Sequence, residues 1–197
     1  TGSTDTCRLS DKVNMRDLPL GANHYTVEAV IAPTESVTNI NVAEGIIGWG
    51  NWGNANSCNG FRMVDANSLL AYWWGNDITA HTSYDLSDGQ YHHVAHSWDG
   101  TKRRIFVDYQ QVGIQLVNRQ PNVQLGGNPF CVGSTGKATE AFAGNIKEVK
   151  IWNRARTLTQ MKAFNLPAPS TAATTTMQPT TTNTALQNMQ DQMEALA

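Results

Sequence analysis

Charged residues are scarce in this chain. Lys and Arg number 14 and Asp and Glu 16 among 197 residues, so charged residues make up 15% of the sequence, against roughly a quarter in an average soluble domain. The net charge is −2, and basic residues cluster only in the short run Lys102-Arg103-Arg104. So weak a positive field does not hold a phosphate backbone, and we expect no nucleic-acid partner.

Long apolar runs are missing as well. No segment approaches the length of about 20 apolar residues that crosses a bilayer, so the sequence predicts no membrane span. Apolar residues still make up 40% of the chain, nearly all of them before Pro167, and this is enough for one sizeable core. We therefore predict one domain over residues 1–166, rich in Asn, Gln, Thr, Ser and Gly, a balance typical of extracellular β-proteins.

Cysteine is rare, and its count is odd. Cys7, Cys58 and Cys131 leave one thiol over after any single disulfide. In an oxidising compartment we expect Cys58 to pair with Cys131, with Cys7 free or bonded to another chain. The alternative is three reduced, buried thiols that pack as small hydrophobic side chains.

Short strand patterns fill most of the domain. Apolar and polar residues alternate with period two on both sides of Asp99-Gly100 in residues 90–113, which predicts a β-hairpin with its turn at that dipeptide. Similar runs occur at residues 25–32, 45–49, 60–64, 69–74, 130–133 and 147–152. Regular short strands without long helical patterns predict an all-β, antiparallel sandwich, closed by a short helix over residues 157–164.

Two segments together resemble a known superfamily. Residues 90–113 contain QYHHVAHSWDGTKRRIFVDYQQVG, and residues 141–155 contain AFAGNIKEVKIWNRA. They resemble the W-H-x-V-A-x-x-Y-D-G and F-x-G-x-I-D-E-V-x-I-Y-N-R-A motifs of the laminin-G-like, concanavalin A-like lectin/glucanase superfamily. The resemblance covers about residues 9–165 and implies an antiparallel two-sheet β-sandwich of the jelly-roll type.

The resemblance also bears on calcium. Relatives of this fold often bind one structural Ca²⁺ through oxygen ligands, one of which is the acidic residue of the I-D-E-V segment. Lys147 stands at that position here, and an ammonium group repels the cation and offers no lone pair. We therefore predict no cofactor, and we regard a structural calcium ion at this position as doubtful.

Catalytic motifs of the superfamily are absent. Its glycoside hydrolases place two carboxylates on one strand face in an E-x-D-x-E or E-x-D-x-x-E run, which this chain lacks. His92 and His96 share a strand face but lie about 13 Å apart at the usual rise, too far to bind one zinc ion, and His96 is expected in the core. The sequence therefore predicts a protein that is not an enzyme.

Tryptophan is concentrated in one region. Adjacent residues of a strand point to opposite faces, so one of Trp73 and Trp74 is expected in the core and the other on the outer face or beneath a loop. An exposed indole stacks on the C–H face of a sugar, while Asn and Asp bond its hydroxyls. The predicted ligand-binding residues are Trp73, Trp74, Trp49, Trp52, Asn76 and Asp77. For each tryptophan alone, core or loop packing is the competing interpretation.

The composition changes abruptly at Pro167. Residues 167–184 are rich in Thr and Pro, which is typical of an extended linker or an O-glycosylated stalk. Residues 185–197 are predicted to form an amphipathic helix, because apolar residues recur at spacings of three, four and three. The predicted oligomerisation residues are Leu186, Met189, Met193 and Leu196. A frayed amphipathic end is the alternative, since so short a helix is marginal alone.

Two hypotheses of function follow from these patterns. The first is a secreted or surface-displayed, non-catalytic recognition or adhesion module that binds a glycan or an extracellular protein. The second is a structural subunit of a surface fibre, coat or virion that forms homo-oligomers through the sandwich and the tail helix. A glycan-active enzyme is the least favoured alternative.

Overall fold

Two antiparallel β-sheets pack face to face around one hydrophobic core. The computed structural model describes residues 7–8, 15–34, 43–126, 128–136 and 140–165, all of which belong to one compact unit, Thr1–Asn165. The predicted antiparallel jelly-roll sandwich is thereby confirmed. The predicted linker (167–184) and tail helix (185–197), including Leu186, Met189, Met193 and Leu196, lie outside the described residues.

Among the described residues, one sheet has six strands and carries the candidate binding surface. From edge to edge it consists of β1 (Cys7–Arg8), β10 (Asn128–Val132), β3 (Glu44–Gly50), β4 (Cys58–Asp65), β5 (Ser68–Tyr72) and β6 (Asp77–His81). Alternation is clearest in β6, where Ile78 and Ala80 are buried while the residues on either side of each are exposed. Period-two side-chain direction therefore sends one face of this strand into the core.

The second sheet has five strands in the same part of the chain. From edge to edge it consists of β11 (Gly144–Trp152), β2 (Tyr25–Pro33), β7 (His92–Trp98), β8 (Lys102–Val107) and β9 (Gln110–Leu116). The predicted hairpin is the β7–β8 pair, and its turn lies at Asp99-Gly100 as expected. The Asp99 carboxylate accepts hydrogen bonds from the backbone N–H groups of Thr101 (2.9 Å) and Lys102 (2.7 Å), which stabilises the turn.

Every residue of β7 is buried, because each of its faces is covered. On the core face, His96 is fully buried, as the sequence predicts, and it lies 3.2 Å from the Tyr25 hydroxyl. On the opposite face, the helix α1 (Leu158–Asn165) packs Met161 against Ala95 and Phe106.

A capping box begins helix α1. The Thr157 hydroxyl accepts from the Gln160 N–H (3.3 Å), and the Gln160 side chain accepts from the Thr157 N–H (2.9 Å). No helix in the described part of the chain is long and apolar enough to cross a bilayer.

The expected disulfide between Cys58 and Cys131 is absent, and strand order explains why. Both thiols are buried but they are not joined to each other. Strand β3 lies between the two cysteines: Cys58 on β4 pairs with Gly50 of β3, and Cys131 on β10 pairs with Gly48. Two strand spacings therefore separate the two Cα atoms by at least about 9 Å. A disulfide joins Cα atoms that are no more than about 7 Å apart. The Cys7 side chain lies outside what the structure describes.

Candidate binding site

Trp49 and Trp73 belong to the core, so the prediction that they contact a ligand is wrong. Neither has any exposed surface. The Trp49 indole N–H donates to the Pro19 carbonyl (3.2 Å), and that of Trp73 donates to the Tyr25 hydroxyl (2.9 Å). Both rings point between the sheets, where no ligand reaches them.

Trp52 and Trp74 lie together on the outer face of the six-stranded sheet. Trp52 follows β3 and Trp74 follows β5, and both indoles are half-buried. Their ring centroids lie 6.3 Å apart with the planes inclined at 70°, and Trp52 also packs on the Tyr72 ring at 5.2 Å. The Trp52 indole nitrogen is buried and has no hydrogen-bond partner among the described residues. We call Trp52 and Trp74 the tryptophan pair.

The turn between β5 and β6 determines where Trp74 points. Trp74 and Gly75 have φ values of 70° and 86°, as a two-residue type I′ hairpin turn requires. A bulky side chain in this left-handed region costs about 1 kcal/mol, and such strain persists only where surrounding contacts impose it. Here the Asn56 N–H donates to the Trp74 carbonyl (3.1 Å), and the Trp73 N–H donates to the Asn76 carbonyl (3.4 Å).

Two side-chain amides flank the tryptophan pair. The Asn76 side-chain NH₂ donates to the side-chain oxygen of Asn56. Among the described residues, this is the one hydrogen bond of either amide side chain. The Asn56 NH₂ group, which carries two donors, and the Asn76 side-chain oxygen are therefore left for ligand hydroxyls.

Asp77, the first residue of β6, borders this surface. It is exposed and pairs with Tyr72 across the sheet. Its pKa is raised, because partial burial of the carboxyl outweighs the attraction of Arg103. The structure thus brings Trp52, Trp74, Asn76 and Asp77 together, and it leaves Trp49 and Trp73 out.

Arg103 supports the site from inside the core. Its side chain is fully buried. The guanidinium donates to the carbonyls of Asn76 and Ala71, both at 2.6 Å, and lies 3.8 Å from the centroid of a Trp73 ring. Burial lowers its pKa to about 10. Arg103 was not among the predicted site residues, although its period-two spacing from Ile105 and Val107 places it on their inward face.

A loop lies over another part of the outer face of the six-stranded sheet. Its described residues are 133–136 and 140–143. The Glu140 carboxylate accepts from Arg62, from the Thr135 hydroxyl and, at 3.4 Å, from the Tyr72 hydroxyl. This segment lies directly against the sheet, because a Cβ atom at Gly48 would stand 2.5 Å from the Thr135 carbonyl oxygen. The tryptophan pair therefore lies beside a covered part of the sheet.

A small polar groove adjoins the tryptophan pair. Its volume is about 220 Å³, and its walls are Asn76, Gln115, Leu116, Val117, Asn118 and Arg119. The Gln115 side chain also donates to the Asp77 carbonyl at 3.5 Å. Asn76 therefore belongs to both features.

No metal centre accompanies this surface in the described residues. None of their His, Cys, Asp and Glu side chains form a group of three or more that could hold an ion. At the position where the resemblance implies a calcium ligand, the exposed Lys147 ammonium lies 5.7 Å from the Tyr91 ring centroid. That side chain does not fit a calcium site there.

In the described part of the chain, facing antiparallel sheets of six and five strands form a sandwich of the concanavalin A-like type. The chain belongs to the concanavalin A-like lectin/glucanases superfamily, whose laminin-G family model matches residues 2–162. This match confirms the resemblance seen in the sequence.

Individual relatives are more distant. The chain is 29% identical to human neuronal pentraxin-1 over 126 residues, which is 55% of this chain and 28% of that protein. The chain thus spans well under half of the length of this curated relative.

Among solved structures, a Ruminococcus gnavus IT-sialidase CBM40 bound to α2,3 sialyllactose superposes with a TM-score of 0.57 at 12% identity, covering 73% of this chain and 83% of that one. A putative carbohydrate-binding protein of Bacteroides ovatus gives 0.56 at 21% identity, covering 74% and 42%. These two likenesses show the fold.

Proposed function

We propose that this protein is a non-catalytic recognition module that binds carbohydrate on the tryptophan pair and the adjoining amides. One observation carries the proposal: two partly exposed indoles lie at an angle to each other beside amide groups left for ligand hydroxyls. Indole faces stack on the C–H faces of sugar rings, and amides bond neighbouring hydroxyls. The inclined pair presents surfaces in two directions, which suits a saccharide of more than one ring.

The site is rigid before any ligand arrives. Trp52 is held against Tyr72, and the Trp74 turn is held by Asn56 and Arg103. A ligand therefore loses little affinity to the ordering of these side chains. The sequence also lacks the E-x-D-x-E and E-x-D-x-x-E runs of the glycoside hydrolases, and we propose binding without turnover.

Two solved relatives support the choice of ligand class. One is described as a putative carbohydrate-binding protein, and the other was solved with sialyllactose. We further propose that the module acts outside the cell, secreted or displayed on a surface, where glycans are presented.

A glycan array on the full chain tests the proposal. We expect the wild-type protein to bind at least one class of glycan, and Trp52→Ala and Trp74→Ala each to weaken that binding about tenfold or more, the loss of one stacking contact. Tyr91→Ala is the matched control, because Tyr91 is an exposed aromatic residue (53% accessible) outside the site. Its binding should match the wild type.

Two results would contradict the location. One is unchanged array binding by folded Trp52→Ala and Trp74→Ala proteins, and the other is an equal loss in Tyr91→Ala. Absence of binding to any glycan by the wild-type protein would contradict the ligand class itself and favour a protein partner.

A further inference from the structure

Strand β9 forms an open edge of the five-stranded sheet, because it pairs with β8 on one side and with no described strand on the other. The backbone N–H and C=O groups along such an edge can bond a further strand. We propose that this further strand is β9 of a second copy of the chain, so that two five-stranded sheets join into one. Two-fold symmetry makes the two paired strands antiparallel.

The charges of the sheet edges distinguish β9 from the other edge strands. β11 contains Lys147, Glu148 and Lys150, β6 begins with Asp77, and β1 is only two residues long. Charged or very short edge strands discourage pairing with other chains. β9, with the sequence QQVGIQL, contains no charged residue and no proline. Among the described edges, β9 is therefore the one that lacks these protections.

The exposed side chains of β9 are apolar where its pairing with β8 is regular. The register shifts next to Gln111, which leaves Gly113–Leu116 as the regular segment. Ile114 and Leu116 are 54% and 66% exposed, the two highest values among the large apolar side chains of the described residues. Alternate residues share a face, so both lie on the outer face of the sheet. A second copy would cover them across the junction, since side chains on adjacent strands pack together.

Charge favours a second copy as the partner. Identical strands paired about a two-fold axis bring like residues together, and like charges directly opposite destabilise a sheet. Self-pairing therefore suits an uncharged strand. The cations beside this edge, Lys102 and Arg104, belong to β8. Three strand spacings, about 14 Å, would separate β8 of one copy from β8 of the other. This distance exceeds the screening length of about 8 Å at physiological salt.

The edge is held in place before it meets a partner. On its core face, β9 packs closely against β6, because a Cβ atom at Gly113 would stand 2.7 Å from the Ala80 Cβ atom. Hydrogen bonds to β8 hold the strand from its inner side. A strand that is already ordered loses little conformational freedom on pairing, which lowers the cost of association.

Sedimentation velocity of the full chain over a range of concentrations tests the inference. We expect self-association that increases with concentration. Ile114→Lys should weaken it about tenfold or more, because each copy loses an apolar contact and brings a cation to the junction. Leu125→Lys is the matched control, since Leu125 is an exposed aliphatic residue (44% accessible) outside β9. Its association should match the wild type, and circular dichroism checks that both variants are folded.

Amide hydrogen exchange, followed by NMR, locates the contact. Exchange from residues 110–116 should slow as the concentration of the wild-type protein increases, and Ile114→Lys should abolish this slowing. Three results would overturn the proposal: a monomer at every concentration, an equal loss of association in the two variants, or association without slower exchange in residues 110–116. The third result would assign the association to another surface. Neither measurement involves a glycan, so the outcome is independent of binding at the tryptophan pair.

Discussion

Arg103 does not belong to the candidate binding surface, but the position of the turn that carries Trp74 depends on it. A guanidinium in a core is costly to desolvate unless its donors are bonded. Arg103 bonds two carbonyls of the β5–β6 hairpin and stacks on Trp73. It therefore joins the five-stranded sheet to the turn that presents Trp74.

Replacing Arg103 with methionine should lower the free energy of unfolding by about 2–4 kcal/mol, because two buried carbonyls lose charged donors. Urea denaturation measures the change. Arg104→Met is the matched control on the same strand, since Arg104 forms a partly exposed ion pair with Asp99 at 2.6 Å, and its loss should cost less than about 1 kcal/mol. Equal losses in the two variants would contradict the role assigned to Arg103.

His92 should make part of the stability depend on pH. Its ring nitrogens lie 2.8 Å from the Asp108 carboxylate and 3.1 Å from that of Asp88. Burial acts to lower the pKa of His92, but hydrogen bonds and charge from the two carboxylates outweigh it, so the net pKa is raised. Tyr84, which also donates to Asp108, has its pKa raised to about 12 and stays neutral near pH 7.

A group whose pKa rises on folding stabilises the protein below its unfolded pKa, here about 6.5, and this contribution disappears as pH rises through the folded value. The difference in unfolding free energy between wild type and His92→Gln should therefore be larger at pH 6 than at pH 9. Urea denaturation at both values checks this, and an NMR titration of His92 reports its pKa directly. A difference that stays constant, or grows with pH, would contradict the assignment.

At the scale of elements, the β5–β6 turn holds Trp74 at a positive φ, and this strained conformation places its indole on the outer face of the sheet. The free energy of unfolding of Trp74→Gly should be about 1 kcal/mol higher than that of Trp74→Ala, because glycine adopts a φ of 70° without strain. Both variants should lose glycan binding. At Trp52, which is not among the residues with positive φ, the same pair of substitutions should show no advantage for glycine. A more stable alanine variant at position 74 would contradict the strain argument.

Local patterns were sufficient to predict several elements. The β7–β8 hairpin, the inward direction of His96 and the short helix at 157–164 follow from spacing and turn residues alone, which act over a few neighbouring positions. The tryptophans were only partly predictable. Alternation required one of Trp73 and Trp74 to be buried, but which one depends on the face that meets the second sheet.

At the scale of the whole molecule, the buried residues of the described core come mostly from the two sheets. All of them precede Asn165. We therefore expect a chain truncated after residue 166 to keep its urea midpoint and its glycan binding. If the stripe of Leu186, Met189, Met193 and Leu196 associates, light scattering should show a smaller oligomeric mass for the truncated protein. Equal masses would contradict the assembly hypothesis, and a lower urea midpoint would contradict the independence of the core.

The sequence by itself determined the strand pattern and the sandwich class, because alternation and turn chemistry act between residues close in the chain. The scarcity of charge is a property of its composition. Only the tertiary structure decided that Trp52 and Trp74 form the surface while Trp49 and Trp73 fill the core. It also separated Cys58 from Cys131 by placing β3 between them. These outcomes depend on strand order and on which sheet faces meet, and both are set by contacts between residues far apart in the chain.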